Sequence, residues 1–187
     1  MRSLLTMFVL LALTACASFE SGDLPHLDRW PPTVALDAAR PALRVEVNGL
    51  PKKFAGGWQA QTVKTCEASG RFASVTTDAG AAADRLARFD IEHSRPDGLP
   101  VARVWMGVTA LTLGVIPARA YQRFVVHAHF VDANGNVLGT AERTVESQTW
   151  VGWVMIFALP FAGAGMSGLI DDTTRSILVE ANDKGWL

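Results

Sequence analysis

Apolar and polar residues alternate along four stretches of this chain, at 43–48, 85–94, 121–131 and 137–147. Alternation with a period of two is typical of strands that bury one face. A shorter apolar stretch at 72–76 predicts a further strand. Between the last two alternating stretches stands Asn134-Gly135, the strongest local signal for a hairpin turn. The pattern therefore predicts five strands, of which the last two form a hairpin.

Helical spacing appears at two places between and after these strands. A helix is predicted over 57–69, closed by Gly70, and a second is predicted to begin at Asp171-Asp172 and end near Gly185. The order β-α-β-β-β-β-α predicts an α+β fold, with a mainly antiparallel sheet and two helices on one face. Cys66 follows Phe54, Trp58 and Thr62 at intervals of four residues, and the apolar positions of the second helix are Ile177, Leu178 and Ala181.

Two segments carry no charge, and we treat them as apolar insertions into this fold. The first is 104–118, bracketed by Arg103 and Arg119, and the second is 147–170. In an antiparallel meander the first segment joins two strands at the end of the sheet where the second begins. The candidate contact residues at this end are Trp105, Met106, Leu111, Leu113 and Ile116 in the first segment and Trp150, Trp153, Ile156, Phe157 and Phe161 in the second.

Three interpretations of these segments remain open. They could pack on each other and on the sheet as core. They could form a membrane or partner surface, since Trp and Met favour contact regions and a large exposed apolar patch marks an interaction site. The third interpretation is a transmembrane helix over 150–170, which is long enough but contains Pro160 and four glycines.

The first fifteen residues have the pattern of a secretory signal peptide. Met1-Arg2 is basic, and the apolar stretch 4–13 is too short to span a bilayer. Its end, Leu13-Thr14-Ala15-Cys16, resembles the lipobox of bacterial lipoproteins. The resemblance implies cleavage before Cys16 and acylation of its sulfur and amine. Because Ala17 rather than Asp follows, it also implies the periplasmic face of the outer membrane. An ordinary signal peptide or membrane anchor with a chance cysteine is the alternative.

The remaining chain divides into two parts by composition. Residues 16–41 are expected to be a lipidated amino terminus and a Pro-rich tether, in which Trp30 is a candidate to dock on the domain. Residues 42–187 are expected to form a single α+β envelope domain. Two of its segments, 69–75 and 83–86, resemble the small α/β domain of the TolB amino terminus and of the curli-secretion lipoprotein, where a helix ends at a glycine, a short strand follows and an Ala-Asp pair opens the next strand. This resemblance implies a fold and no function.

Composition narrows the function classes. The chain has 187 residues, 49% of them apolar, and its 17 basic and 18 acidic residues nearly cancel, so no basic field indicates nucleic acid. Two cysteines exclude a disulfide framework. If Cys16 carries lipid, Cys66 is the remaining thiol, and its helical spacing predicts burial.

Few residue patterns in the sequence could form a catalytic, metal or nucleotide site. His127 and His129 share one strand face and could bind a metal only with a third ligand such as His93 or Asp132. Asp171-Asp172 suits a helix start, and the Gly-x-Gly-x-x-Gly match at 163–168 lacks the βαβ frame of a nucleotide site. We therefore expect no enzyme, no metal and no cofactor.

The function expected from the sequence is that of a membrane-anchored lipoprotein with a non-enzymatic, accessory or structural role in cell-envelope assembly or export. Its partners would be the membrane, through the lipid anchor, and another protein or a second copy. The first alternative is a periplasmic binding module for a lipid or small apolar ligand, with the two uncharged segments lining a pocket. The second is a periplasmic enzyme, which requires His93, His127 and a carboxylate to converge.

Overall fold

The computed structural model describes residues 16–21, 30, 40–96, 98–112, 114–152 and 165–187, and for 16–21 it describes the backbone alone. The expected signal peptide, most of the expected tether and residues 153–164 lie outside the described part. The strands are β1 (Cys16–Ser21), β2 (Ala42–Asn48), β3 (Ser74–Thr76), β4 (Arg85–Ser94), β5 (Ala118–Asp132) and β6 (Val137–Val151), and the helices are α1 (Lys52–Ala68), α2 (Gly98–Leu111) and α3 (Gly165–Asp183).

The strands form one sheet in the order β1-β6-β5-β4-β2-β3. Pairing of β1 with β6 is antiparallel, whereas β2 runs parallel to both β3 and β4. Side chains show that β4 and β5 are antiparallel, because His93 contacts Phe124 at one point and Asp90 lies 3.8 Å from His129 at another. The predicted α+β class is confirmed, and the sheet is mixed because α1 carries the chain back to the end from which β2 started.

The chain folds into two compact units, which are described separately. The first unit comprises Met1–Ser21, Ser94–Arg123 and Glu146–Met166, and the second comprises Gly22–His93, Phe124–Val145 and Ser167–Leu187. Strands β5 and β6 contribute residues to both units. That one domain spans 42–187 stays a prediction.

The core of the second unit lies between one sheet face and the helices α1 and α3. Trp58 of α1 packs against Phe124 of β5 at a ring-centroid distance of 5.6 Å. Arg143 of β6 donates hydrogen bonds to Ser176 and Glu180 of α3. Both helices therefore cover the same sheet face, as predicted. The largest fully buried side chains there are Leu43, Val45, Trp58, Phe89, Ile91, Phe124, Val126, Phe130, Val145, Ile177 and Leu178.

Two helices begin earlier than the sequence predicts. Helix α1 begins at Lys52, directly after Pro51, which cannot itself donate the hydrogen bond that a helix interior requires. Helix α3 begins at Gly165, because Leu169 and Ile170 continue its buried stripe toward the amino terminus. Asp171 is therefore inside the helix, where its carboxylate accepts hydrogen bonds from Thr65 of α1 at 2.5 Å and from Arg175 at 2.7 Å.

The tether prediction is wrong at its first residues. Residues 17–21 lie in β1, where Ala17 pairs with Trp150 and Ser21 with Glu146. Their main-chain groups thereby gain partners at a sheet edge that would otherwise be open. Docking of Trp30 is confirmed, because its ring lies 4.9 Å from the Arg175 guanidinium of α3. The rest of the expected tether lies outside the described residues.

Candidate contact surface

The first uncharged segment forms most of α2, a helix that the alternation of apolar and polar residues does not predict. The hydroxyls of Thr109 and Thr112 each donate to the carbonyl four residues earlier, at 2.9 Å. The helix ends where the Gly114 amide donates to the carbonyl of Thr109 at 2.7 Å, and Gly114 has a φ of +81°, which glycine adopts without steric cost. The Thr112 hydroxyl also accepts the amide of Ile116, which tightens the turn after the helix.

Apolar side chains of α2 are exposed rather than buried. Val101, Val104, Trp105, Val108 and Leu111 follow the spacing that places residues on one side of a helix. In a globular protein such a stripe normally faces the core, yet Leu111 is 87% exposed and Val108 is only half-buried. We call the exposed members of this region the α2 apolar surface: Val101, Val104, Trp105, Met106 and Leu111, with Val115 and Ile116 in the following turn.

The structure places part of the predicted contact set on this surface. Trp105, Met106, Leu111 and Ile116 are exposed, so the core interpretation is wrong for these four residues. Trp150 lies half-buried in β6. The side chain of Leu113 and the residues Trp153, Ile156, Phe157 and Phe161 lie outside the described part of the chain. Val101 is absent from the predicted contact set because the uncharged segment begins after Arg103, whereas the helix begins at Gly98.

The interpretation of 150–170 as a transmembrane helix is also wrong, because both ends of that range belong to other elements. Trp150 and Val151 belong to β6, and Leu169 and Ile170 are buried in α3. Across the described residues, no helix combines the length and the hydropathy needed to cross a bilayer.

The turn after α2 and the end of β6 approach each other within the first unit. A Cβ atom at Gly152 would lie 2.9 Å from the Gly114 carbonyl oxygen and 3.0 Å from Cβ of Pro117, so only glycine fits there without a shift. The neighbouring Val151 pairs with Cys16, the first residue of β1. Paired Cα atoms in antiparallel strands are about 5 Å apart. Cys16 is therefore connected to the turn after α2 through two contacts: its pairing with Val151, and the packing of the adjacent Gly152 against that turn.

The charged residues within α2 and in the segment that follows it are basic. Residues 98–119 contain Arg103 and Arg119 and no Asp or Glu, and the side chains of both arginines are exposed. Among the residues of the first unit whose side chains the structure describes, Glu146 carries the acidic group. It accepts hydrogen bonds from the Tyr121 hydroxyl and from Arg123, and these hold the pKa of Glu146 below its usual range.

The second unit does not bring the proposed catalytic histidines together. His93 contacts Phe54 and Phe124 on the sheet face that the helices cover, at centroid distances of 5.1 and 5.0 Å. His127 lies on the opposite face, because it alternates with the buried Val126 and Ala128, and its ring is 3.5 Å from Glu142. The convergence required for the enzyme alternative is therefore absent. Among the residues that the structure describes, no group of three His, Cys, Asp or Glu could hold a metal ion.

Cys66 is fully buried in α1, as its spacing predicts. Burial raises the pKa of the Cys66 thiol to about 12, with a smaller contribution from the charge of Glu67. The thiolate is the reactive form of cysteine, so this side chain is chemically inert in the folded protein.

The short motifs that resemble the TolB and curli-secretion domains have a local structural role. Helix α1 gives way to Gly70, which has a φ of +65°, and β3 follows. The Asp84 carboxylate accepts the amide of Ala42 at 2.8 Å, while the Asp84 amide donates to the Ala42 carbonyl at 3.0 Å. Asp84 thereby sets the start of β4 against the start of β2. The family resemblance itself stays a prediction.

No protein-family model matches this chain, and no curated protein matches it. Among solved structures, it is similar to the PelC dodecamer from Paraburkholderia phytofirmans, with a TM-score of 0.43 and 14% identity over 88% of this chain and 95% of that one. It is also similar to a minor lipoprotein from Acinetobacter baumannii, with a TM-score of 0.39 and 13% identity over 78% and 92%. Rare lipoprotein B from Shewanella oneidensis matches at a TM-score of 0.32 and 10% identity over 77% and 92%. TM-scores this low carry no conclusion about this chain.

Proposed function

We propose that this protein is a lipoprotein anchored by Cys16 to the periplasmic face of the outer membrane, with a non-enzymatic accessory or structural role in the cell envelope. Its α2 apolar surface supplies a second contact, with the membrane or with a protein partner. One observation carries this proposal: β1 begins at Cys16 and belongs to the same compact unit as the exposed apolar residues of α2.

The anchor is supported by the lipobox-like sequence and by the position of β1. Acyl chains on Cys16 would exceed the single chain that gives only reversible membrane binding. Because Cys16 pairs with Val151, lipid attached there would hold the first unit close to the bilayer. An extended tether over 16–41 would instead place the whole domain at a distance.

The contact role is supported by an energetic argument. Leaving large apolar side chains in water costs roughly 25 cal/mol for each Å² that could be covered. Monomeric proteins rarely carry large contiguous patches of this kind unless a membrane or partner covers them. The α2 apolar surface contains seven exposed apolar side chains between Val101 and Ile116, and six of them lie away from the Arg103 side of the helix, on which Met106 lies.

The anchor is tested by changing each cysteine separately in the full chain. Cys16→Ser is expected to move the protein from the membrane fraction to the soluble fraction or to the unprocessed precursor. Cys66→Ala is the matched control and is expected to stay in the membrane fraction, because that thiol is buried in α1. Mass spectrometry of the mature amino-terminal peptide is expected to show an acylated Cys16. An unmodified Cys16 in membrane-bound protein would contradict the anchor.

The contact role is tested with Trp105→Ser, which removes an exposed aromatic ring and is not expected to unfold the protein. Crosslinking from α2 in intact cells is expected to lose its captured lipid or protein. Val137→Ser, at an exposed apolar position of the second unit, is the control. Unchanged crosslinking in the Trp105 variant would remove the contact role while leaving the anchor in place.

A further inference from the structure

We propose that α2 lies in the headgroup layer of an anionic phospholipid bilayer, with its apolar stripe toward the acyl chains. This inference rests on the proposed function, and it commits the contact surface to lipid rather than to a protein partner. It also assigns an orientation to the helix about its own axis, because one side of α2 would face the bilayer and the other side would face water.

The helix has the residue pattern of an interfacial segment. Val101, Val104, Trp105 and Leu111 share one side at helical spacing, whereas Arg103, Met106 and Ala110 lie on the opposite side. A helix of 14 residues is too short to span the hydrocarbon core, but its length suffices to lie in the interface plane. Exposed tryptophan is enriched at this depth, since its ring is apolar and its N–H still reaches water or a headgroup.

Charge complementarity favours phospholipid as the occupant. Arg103 lies within α2 and Arg119 follows the exposed apolar residues, while no acidic residue occurs between 98 and 119, although Asp97 directly precedes the helix. Long arginine side chains can keep the guanidinium at the phosphates while their stems lie along apolar surface. An anionic surface attracts such basic groups, and the attraction weakens as salt increases.

The position of Cys16 supports the same occupant. Its strand partner Val151 precedes Gly152, which packs against Gly114 and Pro117 in the turn region after α2. Acyl chains on Cys16 would therefore enter the bilayer beside the carboxyl end of α2. The anchor would also raise the local concentration of lipid around the helix, which lets a short apolar stripe bind without high intrinsic affinity.

The test places an environment-sensitive probe at matched positions of the full-length, membrane-extracted protein. Val104→Cys puts the probe on the apolar stripe, and Val137→Cys puts it at the hairpin; the two valines are 66% and 62% exposed. Cys66 is buried, so it is not expected to take the label. The protein is then incorporated into vesicles of equal parts phosphatidylcholine and phosphatidylglycerol, and a parallel sample uses phosphatidylcholine alone.

We expect the probe at residue 104 to show a severalfold rise in emission, a blue shift and quenching by lipids that carry a quencher near the headgroup. The probe at residue 137 should keep the spectrum that it has in water. Arg103→Gln is expected to reduce the response at residue 104, more so in the anionic vesicles than in the neutral ones.

Each other outcome overturns a distinct claim. If the protein floats with the vesicles and both probes stay in water, the lipid-facing helix is wrong while the anchor stands. If the probe at residue 104 already reports an apolar environment without vesicles, residues 153–164 or a second copy cover the helix instead. If the probe at residue 104 enters the bilayer although Cys16 carries no acyl chain, the anchor is wrong and the helix assignment stands. If the chain does not float at all, both are wrong.

Discussion

At the scale of single residues, Cys66 shows how position determines chemistry. The sequence could predict its burial, because Phe54, Trp58 and Thr62 precede it at intervals of four residues. The structure adds that Thr62, Thr65 and Cys66 are all buried along α1, so small polar side chains contribute to this part of the core.

The buried thiol gives the protein a specific pH dependence. The folded pKa of about 12 lies above the ordinary value of 9.0, so the folded chain keeps a proton that the unfolded chain releases. This contribution to stability is present below pH 9 and is lost as the pH rises toward 12. Cys66→Ala is expected to flatten the decline in the free energy of unfolding between pH 9 and pH 12, measured by chemical denaturation. Parallel curves for both proteins would contradict the assignment.

Glycines that look alike in the sequence differ sharply in the structure. A Cβ at Gly139 would overlap the ring of Trp186, which packs 6.0 Å from Phe130, whereas a Cβ at Gly57 in α1 meets nothing within 4 Å. Gly139→Ala is expected to lower the free energy of unfolding by about 1–3 kcal/mol. Gly57→Ala is expected to raise it by up to about 1 kcal/mol through helix propensity. Thermal unfolding of both variants checks the pair, and equal effects in the same direction would contradict it.

At the scale of elements, the sequence predicted what alternation and turn chemistry specify. Strand β4 has the predicted bounds, Arg85–Ser94, and the hairpin turns at Asn134-Gly135, where the Asp132 carboxylate accepts the amides of Asn134 and Asn136 at 2.8 Å. Strand β6 runs on to Val151, beyond its predicted end at Ser147, because its last residues pair with β1, a strand that the sequence did not predict. Helix α2 was not predicted, because uncharged residues such as Gly107 and Ala110 occur where charged residues usually mark the outer side of a helix.

One contact between elements can be measured directly. Arg143 of β6 donates from Nε to the Ser176 hydroxyl at 2.8 Å and from Nη2 to Glu180 at 2.7 Å, and its side chain is only 24% exposed. Lys184 and, to a lesser extent, Arg143 hold the pKa of Glu180 below its usual range. Arg143→Met is expected to lower the free energy of unfolding by about 1–3 kcal/mol, because charged hydrogen bonds to α3 are lost.

The control for this contact is Arg88→Met on β4. Arg88 pairs with Glu46 at 3.2 Å but is 47% exposed, and exposed ion pairs contribute about 0–1 kcal/mol. Denaturant titration of the two variants separates the contributions. A loss at Arg88 as large as the loss at Arg143 would contradict the role given to the β6–α3 contact.

At the scale of the whole molecule, the sequence predicted that apolar segments meet at one end of the sheet, and the structure places α2 and the end of β6 within one compact unit. The sequence could not predict that β1 joins that unit, because the residue pattern of 16–21 is too short to distinguish a strand from a tether. It also could not predict which side of α2 stays exposed, since burial of a uniformly apolar segment depends on what packs against it. The proposed anchor residue and the exposed helix α2 thus belong to one compact unit, and this combination supports a membrane contact.

The most direct test of this account is a cysteine scan of α2 from Val101 to Leu111, read by probe depth in phosphatidylglycerol-containing vesicles that hold the full chain. The account predicts a profile with the helical period of 3.6 residues. Its maxima should fall at Val101, Val104, Trp105 and Leu111, and its minima at Arg103, Met106 and Ala110. A profile without that period, or one whose maxima fall on the side of Arg103, would contradict the claim that this helix faces the membrane beside its lipid anchor.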